Sequence, residues 1–249
     1  MFGRVGGKRI QAGEIVNMMP PHQIYVEPFI GGGAVFFKRK ERAEIEVIND
    51  LDIDIYNIFK DQQDVGDEMI TRDFSLSRIK FDELKNQVNF ENQADRLYRN
   101  LYLSRNSFGN NRRSYAGQNE EEKYIYNVRG KTFKVRKWKD RLQGVHIYNL
   151  DYNDIIKKYD SENTFFYLDP PYWKTTQKRH YVEGGDGIDP CELVENLRNI
   201  KGKFILSYND HEDILKAFKD FNIIRYCKPY LYNQCSRKIG KELYIKNYC

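Results

Sequence analysis

Short apolar runs and longer amphipathic segments alternate along the chain, and together they predict a mixed α/β protein. Strands are predicted at IYVEPF (24–29), EIEVIND (44–50), VHIYNL (145–150), TFFYLD (164–169), KFILSYN (203–209), FNIIRYC (221–227) and ELYIKNY (242–248). Helices are predicted at 14–19, in AVFFKRKE (34–41) and from LDIDIYNIFK (51–60) onward. A strand, a glycine turn, a helix, a strand and a helix in succession indicate the start of a parallel sheet.

Residues 57–142 interrupt this rhythm. They contain polar, mostly helical segments such as FDELKNQV (81–88) and ADRLYRNLYL (94–103), followed by a loop rich in Gly, Asn and Arg. The strand pattern returns at Val145. The sequence therefore predicts one discontinuous α/β domain, 1–56 and 143–249, with an insertion at 57–142.

The composition is that of a folded protein without a membrane anchor. Of its 249 residues, 40% are hydrophobic and 14% aromatic, enough to build a core. The mean hydropathy is −0.77, no apolar run approaches the ~18 residues of a membrane span, and the first residues lack a signal-peptide pattern. We therefore expect an intracellular protein that does not enter a membrane.

Cysteine and histidine give no sign of a metal centre. The four cysteines and four histidines show no metal-ligand spacing, so free thiols and no metal are expected.

Positive charge is concentrated in the predicted insertion. Residues 96–141 hold thirteen Lys or Arg and four acids, a net +9, whereas the whole chain carries +5 and the remainder is thus −4. Tyr, Phe and Trp side chains are interleaved with these cations, and cations beside flat rings suit phosphate contact and base stacking. A charge run is also typical of a solvated surface, so other motifs must decide.

The turn after the first predicted strand leaves room for a ligand. EPFIGGG places Gly31, Gly32 and Gly33 at a strand-to-helix turn, where little side-chain bulk separates backbone N–H groups from a bound molecule. Such turns also serve packing alone. Asp50 ends the next predicted strand, where an acid in this kind of sheet reaches ribose hydroxyls. The two features suggest a nucleoside cofactor.

The sequence Asp169-Pro170-Pro171-Tyr172, directly after the apolar strand TFFYL, carries the most specific chemistry. The prolines restrict the turn, so that the Asp169 carboxylate and a proline carbonyl form two rigid acceptors. Tyr172 adds a flat face. This combination suits a planar NH₂ group on a stacked base, while a proline-rich turn with a capping Asp is the alternative that any isolated motif of this type allows.

These motifs and their order resemble the Dam-like, α-group DNA adenine-N6 methyltransferases. The matching segments are EPFIGGGAVFF, INDLDIDIYN and FFYLDPPYW, together with GGK (6–8), LYLSR (101–105), NVRG (127–130), GKFILSYN (202–209) and KELYIKNY (241–248). The resemblance implies a Rossmann-like, S-adenosylmethionine-dependent methyltransferase sheet, mostly parallel with an antiparallel strand near its C-terminal end. The insertion would be a mainly helical target-recognition domain.

The resemblance also implies roles for individual residues. The residues implied to bind the cofactor are Gly7, Lys8, Glu27, Phe29, Gly31, Gly33, Asp50 and Asp151, with Asp50 on the ribose. The target base would be held by Asp169, Pro170, Pro171 and Tyr172. The residues expected to contact DNA are Arg105, Asn110, Asn111, Arg112, Arg113, Arg129 and Lys134, with Arg112 and Arg113 on phosphates and Arg105 on a base edge.

Departures from the family pattern lie mainly in the insertion. Ser104, Lys134 and Arg136 stand where Asn, Asn and Pro are frequent, so the target sequence does not transfer. Arg4 and Val5 replace an aromatic residue and an alanine before GGK. Trp138 suits either anchoring the insertion to the core or contacting nucleic acid. The run Lys178-Arg179-His180 after the DPPY turn suits either a solvated loop or a phosphate contact.

The sequence thus predicts S-adenosylmethionine-dependent methylation of adenine N6 in a short sequence of double-stranded DNA, with the base flipped out of the helix. N4-cytosine or RNA adenine methylation would use the same clamp, and a catalytically silent nucleic-acid-binding relative is the third alternative. The Asp in the DPPY motif and the motif order favour adenine.

Overall fold

Seven strands form one mostly parallel sheet in the computed structural model, which describes residues 7–107, 112–116, 136–174, 187–229 and 239–249. They are β1 (Ile24–Glu27), β2 (Ile45–Asn49), β3 (His146–Tyr148), β4 (Thr164–Leu168), β5 (Lys203–Asn209), β6 (Asn222–Pro229) and β7 (Ile239–Lys246). Their order in the sheet is β3-β2-β1-β4-β5-β7-β6. All seven overlap predicted strand segments, although β6 continues past the predicted 221–227 to Pro229 and β7 begins at Ile239, before the predicted 242–248.

The direction of the strands follows the connections between them. β1 is parallel to β2 and β4, and β4 is parallel to β5. All five side chains of β4 are buried, as expected for a strand inside a parallel sheet covered on both faces. β7 runs antiparallel to both β5 and β6 and lies between them. The predicted antiparallel strand near the C-terminal end is confirmed.

Eight α-helices accompany the strands in the described residues. They are α1 (Ala12–Met18), α2 (Ala34–Lys38), α3 (Ile53–Val65), α4 (Arg78–Asn86), α5 (Gln93–Asn106), α6 (Tyr152–Tyr159), α7 (Pro190–Arg198) and α8 (Glu212–Ala217), with a 3₁₀ turn at Gly66–Ile70 and a further helical stretch at 136–142. Side-chain N-caps mark several starts, since Asp52, Ser77 and Asn92 accept hydrogen bonds from the backbone N–H groups of Asp54, Lys80 and Asp95.

The sequence pattern did not predict the helices α6, α7 and α8. Each is six to nine residues long, so too few apolar positions recur to give a clear helical period. The sequence does contain start signals for two of them, because Asp151 directly precedes α6 and Asp189 directly precedes Pro190 at the start of α7. The first helix also begins at Ala12 rather than at Glu14.

The chain divides into two compact units. The described residues of 1–13, 30–40 and 50–149 form the first, here called the helical unit, and those of 14–29, 41–49 and 150–249 form the second, the sheet unit. The helical unit includes the whole predicted insertion and has its own core, in which α3, α4 and α5 contribute Ile58, Phe81, Leu97 and Tyr102. The division by function predicted from the sequence stays a prediction.

Within the described ranges, no helix has the length and apolar character needed to cross a bilayer.

Candidate active site

The Asp169–Tyr172 turn begins where the buried strand β4 ends, and its two proline carbonyls differ in their surroundings. The carbonyl oxygen of Pro171 accepts a hydrogen bond from the backbone N–H of Ile188 at 3.3 Å and lies 3.5 Å from the hydroxyl of Tyr208. Among the described residues, no hydrogen bond occupies the carbonyl of Pro170. The second proline carbonyl therefore fixes the turn, and the first is the better candidate for an acceptor toward a ligand.

Tyr172 is held at both its ring and its hydroxyl. The hydroxyl donates to Oε1 of Glu242 on β7 at 3.0 Å, and the ring stacks on that of Tyr208 with centroids 5.5 Å apart and planes at 22°. Burial, followed by the nearby charges of Asp169 and Glu242, raises the pKa of Tyr172 well above its ordinary value. The side chain is thus a neutral, oriented ring at working pH.

Gly187 packs directly against the backbone of this turn. It has a φ of +89°, and a Cβ at this position would lie 2.4 Å from the carbonyl oxygen of Tyr172 and 2.8 Å from that of Pro171. Glycine is therefore required both by the backbone conformation and by the close approach. The sequence reading missed this residue, because nothing distinguishes it from the neighbouring glycines of GGDG.

The end of the turn is tied to the start of α8. The carbonyl of Trp173 accepts from Nδ2 of Asn209 at 3.2 Å, and the indole N–H donates to Oδ2 of Asp213 at 3.2 Å. Lys174, with a φ of 49°, places its ammonium 2.9 Å from the same oxygen. Hydrogen bonds from Lys174 and Trp173 lower the pKa of Asp213. These contacts fix where the DPPY turn leaves the sheet.

The glycine turn after β1 combines ligand space and packing. Gly31 has a φ of 47°, and a Cβ there would meet nothing within 4 Å. Gly33 has a φ of +69°, and a Cβ there would lie 3.0 Å from the ring of Phe37. Both glycines are required by conformation, but only Gly33 is also required by packing. The turn thus leaves open space above Gly31, where a ligand could approach its backbone.

The Asp50 side chain is hydrogen-bonded to the backbone of this turn. Its Oδ2 accepts from the backbone N–H of Gly31 at 2.8 Å, and its Oδ1 accepts from the backbone N–H of Asp52 at 3.0 Å. The side chain of Asn149 donates to the Asp50 carbonyl at 2.8 Å. The structure therefore brings two residues of the predicted cofactor set, Gly31 and Asp50, into contact and fixes the orientation of the carboxylate.

Asn49, which the sequence reading missed, joins two motifs of the sheet unit. Its side chain is 1% exposed; Nδ2 donates to the carbonyls of Pro28 and Leu150, each at 3.0 Å, and Oδ1 accepts from the N–H of Leu150 at 2.9 Å. The clamp holds the EPF segment beside the segment that leads to Asp151. Since 101 residues separate Asn49 from Leu150, no local pattern could reveal it.

The other residues predicted to bind the cofactor differ in their burial and in the side chains they contact. Glu27 is 2% exposed and accepts a hydrogen bond from the Tyr25 hydroxyl at 2.6 Å. Phe29 packs against the ring of Tyr152, with centroids 5.2 Å apart. Asp151, next to Tyr152, is exposed and caps α6 through the N–H of Asn153. In the helical unit, Lys8 is buried and Gly7 is exposed.

Three of the predicted DNA contacts lie among the described residues. Arg105, at the end of α5, has its guanidinium 6.0 Å from the ring centroid of Phe74. Arg113 is exposed, whereas Arg112 is paired with carboxylates of the helical unit. Asn110, Asn111, Arg129 and Lys134 lie outside the described residues, as does the run 178–180. The DNA contacts themselves stay predictions.

The side chains of Trp138 and of two of the cysteines lie among the described residues. The Trp138 ring packs on Phe37, with centroids 5.7 Å apart, so it anchors the helical stretch 136–142 to α2. Cys191 and Cys249 are free thiols. In the described parts of the chain, no cluster of three or more His, Cys, Asp or Glu side chains suits a metal ion.

Three features together are typical of a Rossmann-like methyltransferase. They are the mostly parallel sheet in which the antiparallel strand β7 lies between β5 and β6, the glycine turn after β1 and the Asp-Pro-Pro-Tyr turn after β4. Residues 5–228 match the model of the D12 class N6 adenine-specific DNA methyltransferases. The chain belongs to this family. It is therefore an enzyme that methylates adenine N6 in DNA, and the resemblance found in the sequence is confirmed.

Curated relatives extend the similarity over almost the full chain. The Type II methyltransferase M1.LlaDCHI of Lactococcus lactis subsp. cremoris is 24% identical, covering 98% of this chain and 93% of the relative. M.CviBI of Paramecium bursaria Chlorella virus NC1A is 23% identical, covering 98% and 97%. M.MjaIII of Methanocaldococcus jannaschii is 25% identical, covering 90% and 88%. Both of the latter are also Type II methyltransferases by name.

Proposed function

We propose that the methyl donor is S-adenosylmethionine and that the substrate is an adenine flipped out of double-stranded DNA into the Asp169–Tyr172 turn. The observation that carries this proposal is the fixation of the turn by Ile188, Tyr208 and Glu242. A turn held in one geometry can position a base without rearranging during the reaction. Such fixed orientation of the reacting groups lowers the barrier to reaction. The roles assigned to individual residues are part of this proposal.

The residues of the glycine turn fit the cofactor. The open space at Gly31 admits a ligand close to the backbone, and Asp50 supplies a carboxylate for ribose hydroxyls. A carboxylate has about four lone-pair sites, so its oxygens can serve the N–H groups of Gly31 and Asp52 as well as a ribose. The remaining residues proposed to surround the cofactor are Gly7, Lys8, Glu27, Phe29, Gly33 and Asp151.

The cofactor, when bound, supplies an electrophilic methyl group on a sulfonium. Asp169 and the carbonyl of Pro170 accept the two hydrogens of the adenine amine, while Tyr172 stacks on the base. These acceptors oppose delocalisation of the nitrogen lone pair into the ring, so the lone pair becomes available for in-line attack. Transfer of the methyl group would form the N–C bond as the C–S bond of the donor breaks, and Asp169 would accept the proton that the methylated nitrogen loses.

Recognition of the DNA is assigned to the predicted insertion, 57–142, with its excess of positive charge. Since the relatives are named Type II methyltransferases, we propose that this chain also modifies a short defined sequence. Such an enzyme flips its target, because adenine N6 inside the duplex is engaged in a base pair.

An assay with purified components tests the proposal. The protein is incubated with S-adenosylmethionine carrying a labelled methyl group and with mixed-sequence duplex DNA, and the DNA is digested to nucleosides for mass spectrometry. Label in N6-methyl-2′-deoxyadenosine is expected. Label only in N4-methylcytosine, only in an RNA substrate, or nowhere although the folded protein binds the cofactor would contradict it.

A further inference from the structure

Arg112 occupies a constrained position at the closed base of a loop that follows α5. Ser107 and Tyr115 form a bridge between the two sides of this loop, and the N–H of Ala116 donates to the carbonyl of Asn106 at 2.9 Å. The backbone N–H of Arg112 donates to Oγ of Ser107 at 2.8 Å, and its φ of 59° lies in the left-handed region. A strained, non-glycine residue of this kind persists only where its surroundings hold it.

The guanidinium of Arg112 points into the protein and bridges two acids at the start of α3. Nη2 lies 3.0 Å from Oδ2 of Asp52, and Nη1 lies 3.1 Å from Oδ2 of Asp54. The Arg112 and Asp52 side chains are only 18% and 13% exposed. An ion pair so shielded from water is screened less than a surface pair, so salt weakens the attraction between Arg112 and Asp52 only a little.

Asp52 links this ion pair to the carboxylate proposed for the cofactor. One side-chain oxygen caps α3 through the N–H of Asp54, and the other receives Arg112. The backbone N–H of Asp52 donates to Oδ1 of Asp50, whose Oδ2 accepts from Gly31. A continuous chain of contacts therefore runs from Arg112 through Asp52 and Asp50 to the glycine turn, all within the helical unit.

We propose that Arg112 is a positioning residue for cofactor binding: by fixing Asp52 it fixes the Asp50 carboxylate. This role differs from the phosphate contact predicted from the sequence, because the charge of the largely buried Arg112 guanidinium is already paired with the carboxylates of Asp52 and Asp54. The inference rests on the proposed cofactor and on the role of Asp50, and it adds a residue of the predicted insertion to the groups that determine affinity for S-adenosylmethionine.

The test compares cofactor and DNA binding in Arg112→Gln, Arg112→Lys and a matched control, Arg99→Gln. Arg99 is also 18% exposed and lies 3.8 Å from Asp54, yet the contacts of its guanidinium do not include Asp52. Calorimetry without DNA measures S-adenosylmethionine affinity. We expect Arg112→Gln to raise the Kd about three- to tenfold, a magnitude typical of residues that act through others. Arg112→Lys should recover part of the loss, and Arg99→Gln should leave the Kd unchanged.

DNA titrations across a salt series separate the two roles of Arg112. A positioning residue leaves the salt dependence unchanged, whereas loss of a phosphate contact flattens it by nearly one unit in log-log slope. An unchanged cofactor Kd in folded Arg112→Gln, or equal losses in both Gln variants, would overturn the inference. If the folded wild-type protein itself fails to bind S-adenosylmethionine, the proposed function fails instead.

Discussion

Asp50 and Asp169 each follow a strand directly, yet their surroundings prepare them for different tasks. The carboxylate of Asp50 accepts hydrogen bonds from two backbone N–H groups, one in the glycine turn and one at the start of α3, and these fix its orientation. Asp169 lies close enough to Tyr172 to help raise the pKa of that phenol. The first arrangement suits holding a neutral hydroxyl-bearing ligand, and the second suits accepting hydrogen from a base beside a neutral ring.

Replacing Asp169 by Ala removes one of the two acceptors proposed for the adenine amine. We expect turnover to fall at least about a hundredfold, as for other positioned catalytic groups. The Kd of S-adenosylmethionine should stay within about twofold, because Asp169 is assigned to the base rather than to the cofactor. Steady-state kinetics and calorimetry measure the two effects. Turnover within a few-fold of wild type would show that Asp169 does not hold the amine.

Asp50→Ala tests the other carboxylate. Since its proposed bonds to ribose hydroxyls are charge-assisted, their loss should weaken S-adenosylmethionine binding by about 1.5–3 kcal/mol. Asp50→Asn is the matched control, because an amide keeps one acceptor oxygen for a backbone N–H and should lose less affinity. Calorimetric affinities equal to wild type in Asp50→Ala would remove Asp50 from the cofactor site.

Among the structural elements, the turn after β4 depends on residues 187 and 188, which follow it by at least fifteen positions in the chain. Gly187 approaches the carbonyls of Pro171 and Tyr172, and Ile188 bonds to Pro171. Neither contact belongs to a strand or a helix. The geometry of the DPPY turn is therefore a property of two loops held together, not of the motif alone.

Gly187→Ala should disturb this element more than an ordinary glycine substitution would. The added Cβ would clash with backbone atoms of Pro171 and Tyr172, so the turn would have to move. A displacement of ~1 Å can lower the rate by up to about a hundredfold. We expect at least about a tenfold loss of turnover. Gly144→Ala is the control: Gly144 also has a positive φ, +76°, but a Cβ there would meet nothing within 4 Å. Equal activity of the two variants would show that the Gly187 contact does not shape the turn.

The elements that the sequence predicted best are those determined by local pattern. β4 was evident because five consecutive apolar or β-forming residues precede two prolines, and the EPFIGGG turn because glycines follow an apolar run. The clamps around the site were not evident. Asn49 and Leu150 lie 101 residues apart and Tyr172 and Glu242 lie 70 apart, and a single sequence gives no signal for such pairs.

For the molecule as a whole, buried tyrosines make stability sensitive to alkaline pH. Burial raises the pKa of Tyr102 to about 12 and also raises the pKa of Tyr167 and Tyr244 well above the ordinary value. The unfolded chain ionises its tyrosines near pH 10, so the native state binds more protons above that pH. The stability these groups contribute is complete below about pH 10 and is lost as the pH rises beyond it.

Each such tyrosine should lower the free energy of unfolding by up to about 1.4 kcal/mol per pH unit above pH 10. Urea unfolding at a series of pH values between 8 and 11 measures the slope. Tyr167→Phe removes one titrating group and should make the slope shallower above pH 10 while leaving it unchanged below pH 9. The same slope above pH 10 in both proteins would show that Tyr167 ionises alike in the folded and unfolded states.

Methylation of adenine N6 in a defined DNA sequence is proposed to depend on the Asp169–Tyr172 turn. To test this, the wild-type protein and Asp169→Ala are expressed at equal levels in cells that lack adenine methylation, and modified bases are read across the genome by single-molecule sequencing. We expect N6-methyladenine at one short recurring sequence with the wild type and almost none with Asp169→Ala. Equal adenine methylation by both proteins, or methylated cytosine in place of adenine, would contradict it.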